Sequence, residues 1–422
     1  MDPVTPPATM RAVIADTALH RYALATAGRL LPRGVGRRAG WGPGGVVRLE
    51  RDLPVPALPA ADGWVRVAPE LAGVCGSDLG IALAKDSPRL SAFWTSPRQV
   101  LGHEVVGTVT ETGRGVRHLR QGDRVVVDPV IACAQRGFTD LCRQCAQGHP
   151  GTCLRFDQPG TLGCVSPGTG FDLTVGGGWS ESLVSHESLV YPVGDLPARR
   201  AVLAEPASIC LHAALRWRRT GDRVVVIGPG TVGLLVTAAL RMLHPDLDIA
   251  VVAPGEFGGA KAMSVGASRL LPAGNSAIEV LAQSDGGRVV RPRPPMQQQV
   301  ILEQGVDAVF DCVGARSTID LGMRMLRPTG MLVLVGAAGL QMVDWSLVWA
   351  RQLTIQGTIN SGPEPVLGGR TAFSQVVEWL TDPDYRVDDI VTHEFALEQF
   401  REALSTAAAG PAAGAVKVTF AP

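Results

Sequence analysis

The chain has 422 residues, with 39 basic side chains against 39 acidic ones. This length leads to an expectation of two ordinary domains, each with its own core. Balanced charge argues against nucleic acid, an anionic membrane surface or a strongly charged substrate as the main partner, and favours a small neutral ligand.

The 50 glycines follow no triplet repeat, which points to tight turns and a β-rich barrel part. Met1 to Leu31 mixes Pro, Arg, Asp and Ala and reads as no secretion signal. Nowhere is there the run of roughly 18 or more apolar residues that a membrane span needs. A soluble, cytoplasmic protein is expected. In that reducing setting eight cysteines are metal ligands and buried thiols before they are a disulfide framework.

In chain order, Met10 to Ala15 reads as a strand and is followed by a Gly- and Arg-rich segment around Gly34 to Gly45. Arg29, Arg33, Arg37 and Arg38 pose a choice between an anion-binding arm and a solvated loop, and the lack of interleaved aromatics favours the loop. From Val46 to Val130 short β-branched runs alternate with Gly, Pro and Asp, the pattern of a compact barrel or sandwich. Within it, Gly73-Val74-Cys75-Gly76-Ser77-Asp78 and Gly102-His103-Glu104-Val105-Val106-Gly107 place a thiol, a hydroxyl, an imidazole and carboxylates in two glycine-bounded runs. Zinc takes such donors, and a catalytic site keeps one position open.

Cys133, Cys142, Cys145 and Cys153 follow as C-x8-C-x2-C-x7-C, the pattern of a closed structural zinc site. His149 inside that loop reads as solvated, and Cys164, Cys210 and Cys312 as core thiols.

Beyond Val193 the period changes. Ala198 to Arg216 has helical spacing, and Asp222 to Ile227 reads as a buried strand running into Gly228-Pro229-Gly230-Thr231-Val232-Gly233 and a helix. A GxGxxG between strand and helix permits a tight turn and close approach to a pyrophosphate. Strands at Ile249–Val252, Asp307–Asp311 and Met331–Val335, alternating with helices, predict a doubly wound parallel sheet. Ser284 to Gln299 reads as an inserted loop whose Arg288, Arg291 and Arg293 are surface residues before they are phosphate ligands. A strand near Leu353 to Ile359 closes the sheet, and a helix and a strand at Val416 to Phe420 end the chain.

With these motifs in this order, the chain resembles the zinc-dependent medium-chain alcohol dehydrogenases, and within them the bacterial group similar to threonine, polyol and glucose dehydrogenases. The resemblance runs from about Met10 to Phe420. It implies an α/β fold with a β-barrel: a GroES-like zinc-binding catalytic domain (residues 1–196, completed by 363–422) and a Rossmann domain (197–362) for NAD(P). By position, Cys75, His103, Glu104 and Glu205 would serve the catalytic zinc, with Glu205 bound directly or through water. Gly228, Gly230, Thr231, Val232, Gly233, Ala253 and Lys417 would serve the cofactor. The implied reaction exchanges a hydride between an alcohol and NAD(P)+, with zinc as Lewis acid and Ser77 taking the alcohol proton. About two zinc ions per chain and a homo-oligomer, dimer or tetramer, are implied as well.

Three departures stand out. Gly80 occupies the place where many relatives carry the histidine that passes the proton on. Ala253 stands where NAD-specific relatives carry an acid, which leaves NAD and NADP both open with a slight lean to NADP. The first interval of the cysteine lobe is x8 where relatives use x2, so Cys133 is the least fixed of its four. Phe93 and Trp94 are offered as an apolar substrate wall, with Trp179 open to the same reading, and core packing explains all three as well. Two other functions stay open: a biosynthetic reductase of C=N or activated C=C bonds on the same fold, and a noncatalytic dinucleotide-binding zinc protein.

Overall fold

The structure, a computed structural model, describes residues 8–31, 33–85, 87, 89–90, 96–293 and 299–422. Phe93 and Trp94 lie outside the described residues. The chain opens with strand β1 (Thr9–Asp16), helices α1 (Leu19–Gly28) and α2 (Arg33–Trp41), and strand β2 (Val47–Pro54) paired antiparallel to β1. The Gly- and Arg-rich stretch is thus a helical hairpin, where sequence favoured a solvated loop. Gly34, Gly36 and Gly40 oppose helix formation. Tertiary contact overrides them: Arg37 donates to the Ala408 carbonyl, Trp41 to the Ser405 hydroxyl, and Arg401 to the Trp41 carbonyl.

The barrel part continues with β3 (Trp64–Gly73), α3 (Gly76–Ala82), β4 (Arg98–Val100), β5 (Val105–Thr112) and β6 (Arg124–Val127). A cysteine-bearing lobe with helix α4 (Arg143–Ala146) precedes β7 (Leu183–His186) and β8 (Val190–Pro192). Val65, Val67, Val105, Val109, Val125 and Val127 alternate inward and close one core.

Helices α5 (Ala198–Ala201) and α6 (Ala204–Ala214) lead into a second unit. Its elements are β9 (Arg223–Ile227), α7 (Thr231–Leu243), β10 (Asp248–Val252), α8 (Glu256–Ser264), β11 (Arg269–Leu271) and α9 (Asn275–Ser284). The inserted stretch contributes a short antiparallel hairpin, β12 (Val289–Val290) with β13 (Ile301–Leu302), and Arg288 and Arg291 form ion pairs with Glu303 and Glu279. Then come β14 (Val306–Asp311), α10 (Arg316–Met325), β15 (Leu326–Leu334), α11 (Ser346–Arg351) and β16 (Thr354–Gly357). The six strands lie in the order β11-β10-β9-β14-β15-β16, all parallel. That is the doubly wound order, and Val224 to Ile227 are buried because helices cover both faces.

The chain then returns. After α12 (Ala372–Trp379), β17 (Val391–Ala396), α13 (Phe400–Ala409) and β18 (Lys417–Ala421), the last strand pairs antiparallel with β3. The barrel sheet runs β17-β18-β3-β5-β6-β8, so its middle joins segments more than 300 residues apart.

Candidate metal centre and dinucleotide turn

Cys75 lies two residues beyond the end of β3 and caps α3, where the Asp78 carboxylate accepts a 2.8 Å hydrogen bond from the Cys75 amide. Asp78 is fully buried, and burial raises its pKa. His103 is held on the other side by a turn at Gly102, whose φ of +89° and contact with Trp179 leave no room for a Cβ. Its ring stacks on Phe171 at 4.9 Å between centroids, a neighbour that no sequence motif announced. The Ser77 hydroxyl lies 3.5 Å from His103 Nε2, and Asp78 Oδ1 lies 3.6 Å from Nδ1. Burial lowers the imidazole pKa, but Asp78, Cys75 and Glu205 together raise it well above its ordinary value.

One ligand atom each from Cys75, His103 and Glu104 falls within 4.8 Å of the others. Among the buried atoms around them, Asp78 Oδ1 and His103 Nδ1 face each other at 3.6 Å, and Glu205 Oε2 has no hydrogen-bond partner. An orphaned acceptor of this kind is costly. A thiol, an imidazole and carboxylates surrounding unsatisfied lone pairs fit zinc. Glu205 stands in the first turn of α6, outside the 4.8 Å cluster, and burial pushes its carboxyl up to about 8.

Lys417 is placed differently from the expectation that it meets the cofactor. Its side chain is 3% exposed, and the ammonium donates to Glu104 Oε1 at 2.6 Å, Glu104 Oε2 at 2.7 Å and the Val74 carbonyl at 3.1 Å. A buried ammonium needs a counter-charge, and Glu104 supplies it. Burial lowers the lysine pKa, yet Glu104, Cys75 and Glu205 together more than reverse that. Trp179 is also removed from the substrate wall: it is fully buried, packs on Phe420 and donates to the Gly73 carbonyl.

The lobe gathers all four of its cysteines within the same 4.8 Å limit, Cys133 included. Cys133 and Cys153 sulfurs are 3.6 Å apart and those of Cys142 and Cys153 3.9 Å. Burial raises the Cys142 thiol, but amide donors from Cys145 and Leu154 outweigh it and bring it to about 6. The longer first interval is spanned by a turn that wraps buried Arg136, whose guanidinium bonds the carbonyls of Ile131, Gln158, Cys164 and Ser166. His149 is exposed, and Cys164 and Cys210 are buried, as expected.

At the crevice between β9 and β14, Gly228 takes a φ of +102° and Gly230 caps α7. A Cβ on Gly233 would collide with the Gly228 carbonyl, so strand and helix meet only through glycine. The Thr231 hydroxyl donates to the Val416 carbonyl, which ties this turn to the segment leading into β18. Val232 is half-buried on the first turn of α7. Ala253 follows β10, with Glu256 opening α8, and Lys261 donates to the Asp389 carbonyl.

Residues 61–195 match the alcohol dehydrogenase GroES-like domain, and residues 231–382 match the zinc-binding dehydrogenase family. The chain belongs to the zinc-dependent medium-chain alcohol dehydrogenases. This dehydrogenase is 26% identical over 361 residues to sorbitol dehydrogenase of Arabidopsis thaliana, covering 84% of the chain and 88% of that protein. It is 27% identical over 351 residues to (R,R)-butanediol dehydrogenase of Bacillus subtilis (strain 168), covering 81% and 87%. Among solved structures, an alcohol dehydrogenase (rspB) of Escherichia coli CFT073 complexed with NADH superposes with a TM-score of 0.69 at 20% identity, over 99% of this chain and 100% of that one. That last likeness bears on the fold alone. The dehydrogenase is an oxidoreductase that moves a hydride between an alcohol and a nicotinamide dinucleotide, interconverting the alcohol with an aldehyde or ketone.

Proposed function

We propose that this dehydrogenase acts on a secondary alcohol of the polyol or vicinal-diol type, with NADP(H) preferred and two zinc ions per chain. The observation that carries the catalytic assignment is the convergence of Cys75, His103 and Glu104 near the buried, unpartnered Glu205 Oε2. Cys75 and His103 would hold one ion, with Glu205 outside their 4.8 Å cluster as a further ligand directly or through water, while Lys417 neutralises Glu104 beside it. Cys133, Cys142, Cys145 and Cys153 hold the other and fix the lobe. An ion at the first position supplies Lewis acidity that lowers the pKa of an alcohol hydroxyl.

Ser77, whose hydroxyl lies 3.5 Å from His103 Nε2, receives the alcohol proton as its own proton passes on. Gly80 lies on α3 and offers no side chain to continue a relay, so the proton leaves through solvent. Gly228, Gly230 and Gly233 admit the pyrophosphate to the N-terminus of α7, and Thr231 and Val232 shape that turn. Ala253 presents no carboxylate to repel a 2′-phosphate, which supports NADP(H). Relatives named for sorbitol and butanediol support the substrate class.

The sheet edge supports a homo-oligomer. Among the described residues β16 has a neighbouring strand only on its β15 side, and Leu340, Met342, Trp345 and Trp349, in the segment between β15 and β16, are exposed, Trp349 to 86%. A second copy covers that face. All eight cysteines are free thiols, which suits a reducing, cytoplasmic setting.

The test is a panel of polyols, diols and matching ketones assayed with both dinucleotides on zinc-replete protein, together with dissociation constants for NADH and NADPH. Turnover of diols with NADP+ is expected. A hundredfold preference for NADH overturns the cofactor assignment, and turnover confined to primary alcohols overturns the substrate class.

A further inference from the structure

Glu205 approaches the metal centre from α6, whereas Cys75, His103 and Glu104 belong to the barrel part. Its Oε2 has no hydrogen-bond partner, so the carboxylate is placed by the helix that carries it. With 3.6 residues per turn, Ser208 and His212 lie on the stripe of α6 that begins at Glu205, His212 about 10 Å further along the axis. A slip of one residue along that stripe would swing Glu205 about 100° round the helix.

Residues 360–364, the segment beyond β16, cover this stripe. The Ser361 hydroxyl donates to that of Ser208 at 3.4 Å, and the Ser208 hydroxyl donates to the Glu205 carbonyl at 2.7 Å. Three residues on, the Glu364 carboxylate meets His212 Nδ1 and accepts from Arg216 Nη2, while Arg216 also donates from Nε to the His212 carbonyl at 3.2 Å. The Glu364 side chain is 2% exposed. A carboxylate buried to this degree is costly without its donors, so sliding or rotating α6 means breaking a contact that nothing replaces.

The segment has anchors of its own. Asn360, at a φ of +51°, donates from Nδ2 to the Gly151 carbonyl at 2.9 Å, in the turn between Cys145 and Cys153. The two backbones are so close there that a Cβ on Gly151 would stand 2.8 Å from the Asn360 Cβ. On the other side the Glu364 amide donates to the Arg370 carbonyl at 2.9 Å, and the Gly369 amide to the Glu364 carbonyl at 3.0 Å. Glu364 is thus fixed at its backbone and grips α6 with its side chain.

We propose that Glu364 is a positioning residue for the metal centre: through His212 and Arg216 it sets the register of α6 and so presents Glu205 to the ion held by Cys75 and His103. This role rests on the reading of Glu205 as a metal ligand. Groups that orient a ligand in this way change metal affinity about 10- to 100-fold when they are replaced.

The experiment is competition for zinc between a chromophoric chelator and the zinc-replete full chain, with the ion lost in Cys75→Ser marking the catalytic centre. Glu364→Gln is expected to weaken zinc at that centre about tenfold and to leave the ion of the cysteine lobe unchanged. Arg216→Gln, which removes one grip and keeps the other, weakens it in the same direction and reports on the role even where Glu364→Gln fails to fold. Ile319→Ala, a truncation in the core beside α10, measures general destabilisation and leaves both affinities as they were. Because Glu364 acts through Glu205, the double variant Glu205→Gln with Glu364→Gln binds zinc no more weakly than Glu205→Gln alone. Unchanged affinity in both Glu364→Gln and Arg216→Gln overturns the proposal, as do equal losses at the two ions, an equal loss in Ile319→Ala, or additive losses in the double variant. Weakening in Glu205→Gln with none in Glu364→Gln refutes Glu364 alone, whereas full affinity in Glu205→Gln removes Glu205 from the metal and this role with it.

Discussion

Replacing Lys417 with methionine removes a buried charge and leaves another without its partner. Glu104 is 1% exposed in its side chain, and both its oxygens sit within 2.7 Å of the ammonium. At an effective dielectric of about 20, two unit charges at this separation attract by roughly 6 kcal/mol, against which stands the desolvation of both. Removing only one member leaves the desolvation in place without the attraction, and such single replacements cost about 3–5 kcal/mol. Lys417→Met is expected to destabilise the full chain by that amount. Glu104→Gln combined with Lys417→Met, which buries no charge there, should recover about half or more of the loss. The assay is urea unfolding followed by tryptophan fluorescence, analysed as a double-mutant cycle over the two single variants and the pair. A coupling within about 0.5 kcal/mol of zero refutes the reasoning, because it means that the two charges do not depend on each other.

Other perturbations address the remaining groups. Burial raises the Asp128 carboxyl to about 7, so the folded state holds a proton that the unfolded chain releases near 3.8. Its contribution is fully present below about pH 4 and is lost as pH rises through about 7, on the order of 4 kcal/mol from 1.36 kcal/mol per pKa unit. Asp128→Asn keeps the acceptor for the Val130 amide and should gain on the wild type between pH 5 and 8; parallel stability profiles contradict this. Cys133→Ser should lower the zinc content from about two ions per chain to about one, and two retained ions would show that Cys133 is no ligand. Ser77→Ala should slow single-turnover hydride transfer tenfold or more with little change in dinucleotide affinity, and an unchanged single-turnover rate removes Ser77 from the proton path.

The parts that were legible in sequence are those whose chemistry is local. Gly228 to Gly233 declares itself because a strand ends and a helix begins there, and the glycines answer steric demands set within six residues. Cys142 and Cys145 likewise share one short turn, and Cys133 joins them in space despite its longer interval. The illegible parts depend on partners far along the chain. The Glu104–Lys417 pair spans 313 residues, and nothing near Lys417 distinguishes it from a surface lysine. Phe171 against His103 is equally silent in sequence. The α1–α2 hairpin was obscured for another reason: its glycines speak against a helix, and only docking on α13 and α3 makes them useful as close-approach points.

The pairing of β18 with β3 also sets an order of assembly. During synthesis the ribosome delivers β3, then the entire parallel sheet, and only afterwards the strand that carries Lys417. Until that strand arrives, β3 is unpaired on that side at Ala72 and Gly73, beyond its pairing with β7, and Glu104 lacks its counter-charge, so this end of the nascent barrel is a site for mispairing. The parallel sheet, whose strands neighbour one another within residues 223–357, has no such wait. The parallel sheet can therefore fold while the barrel sheet still waits for β18, the strand that brings Lys417 to Glu104.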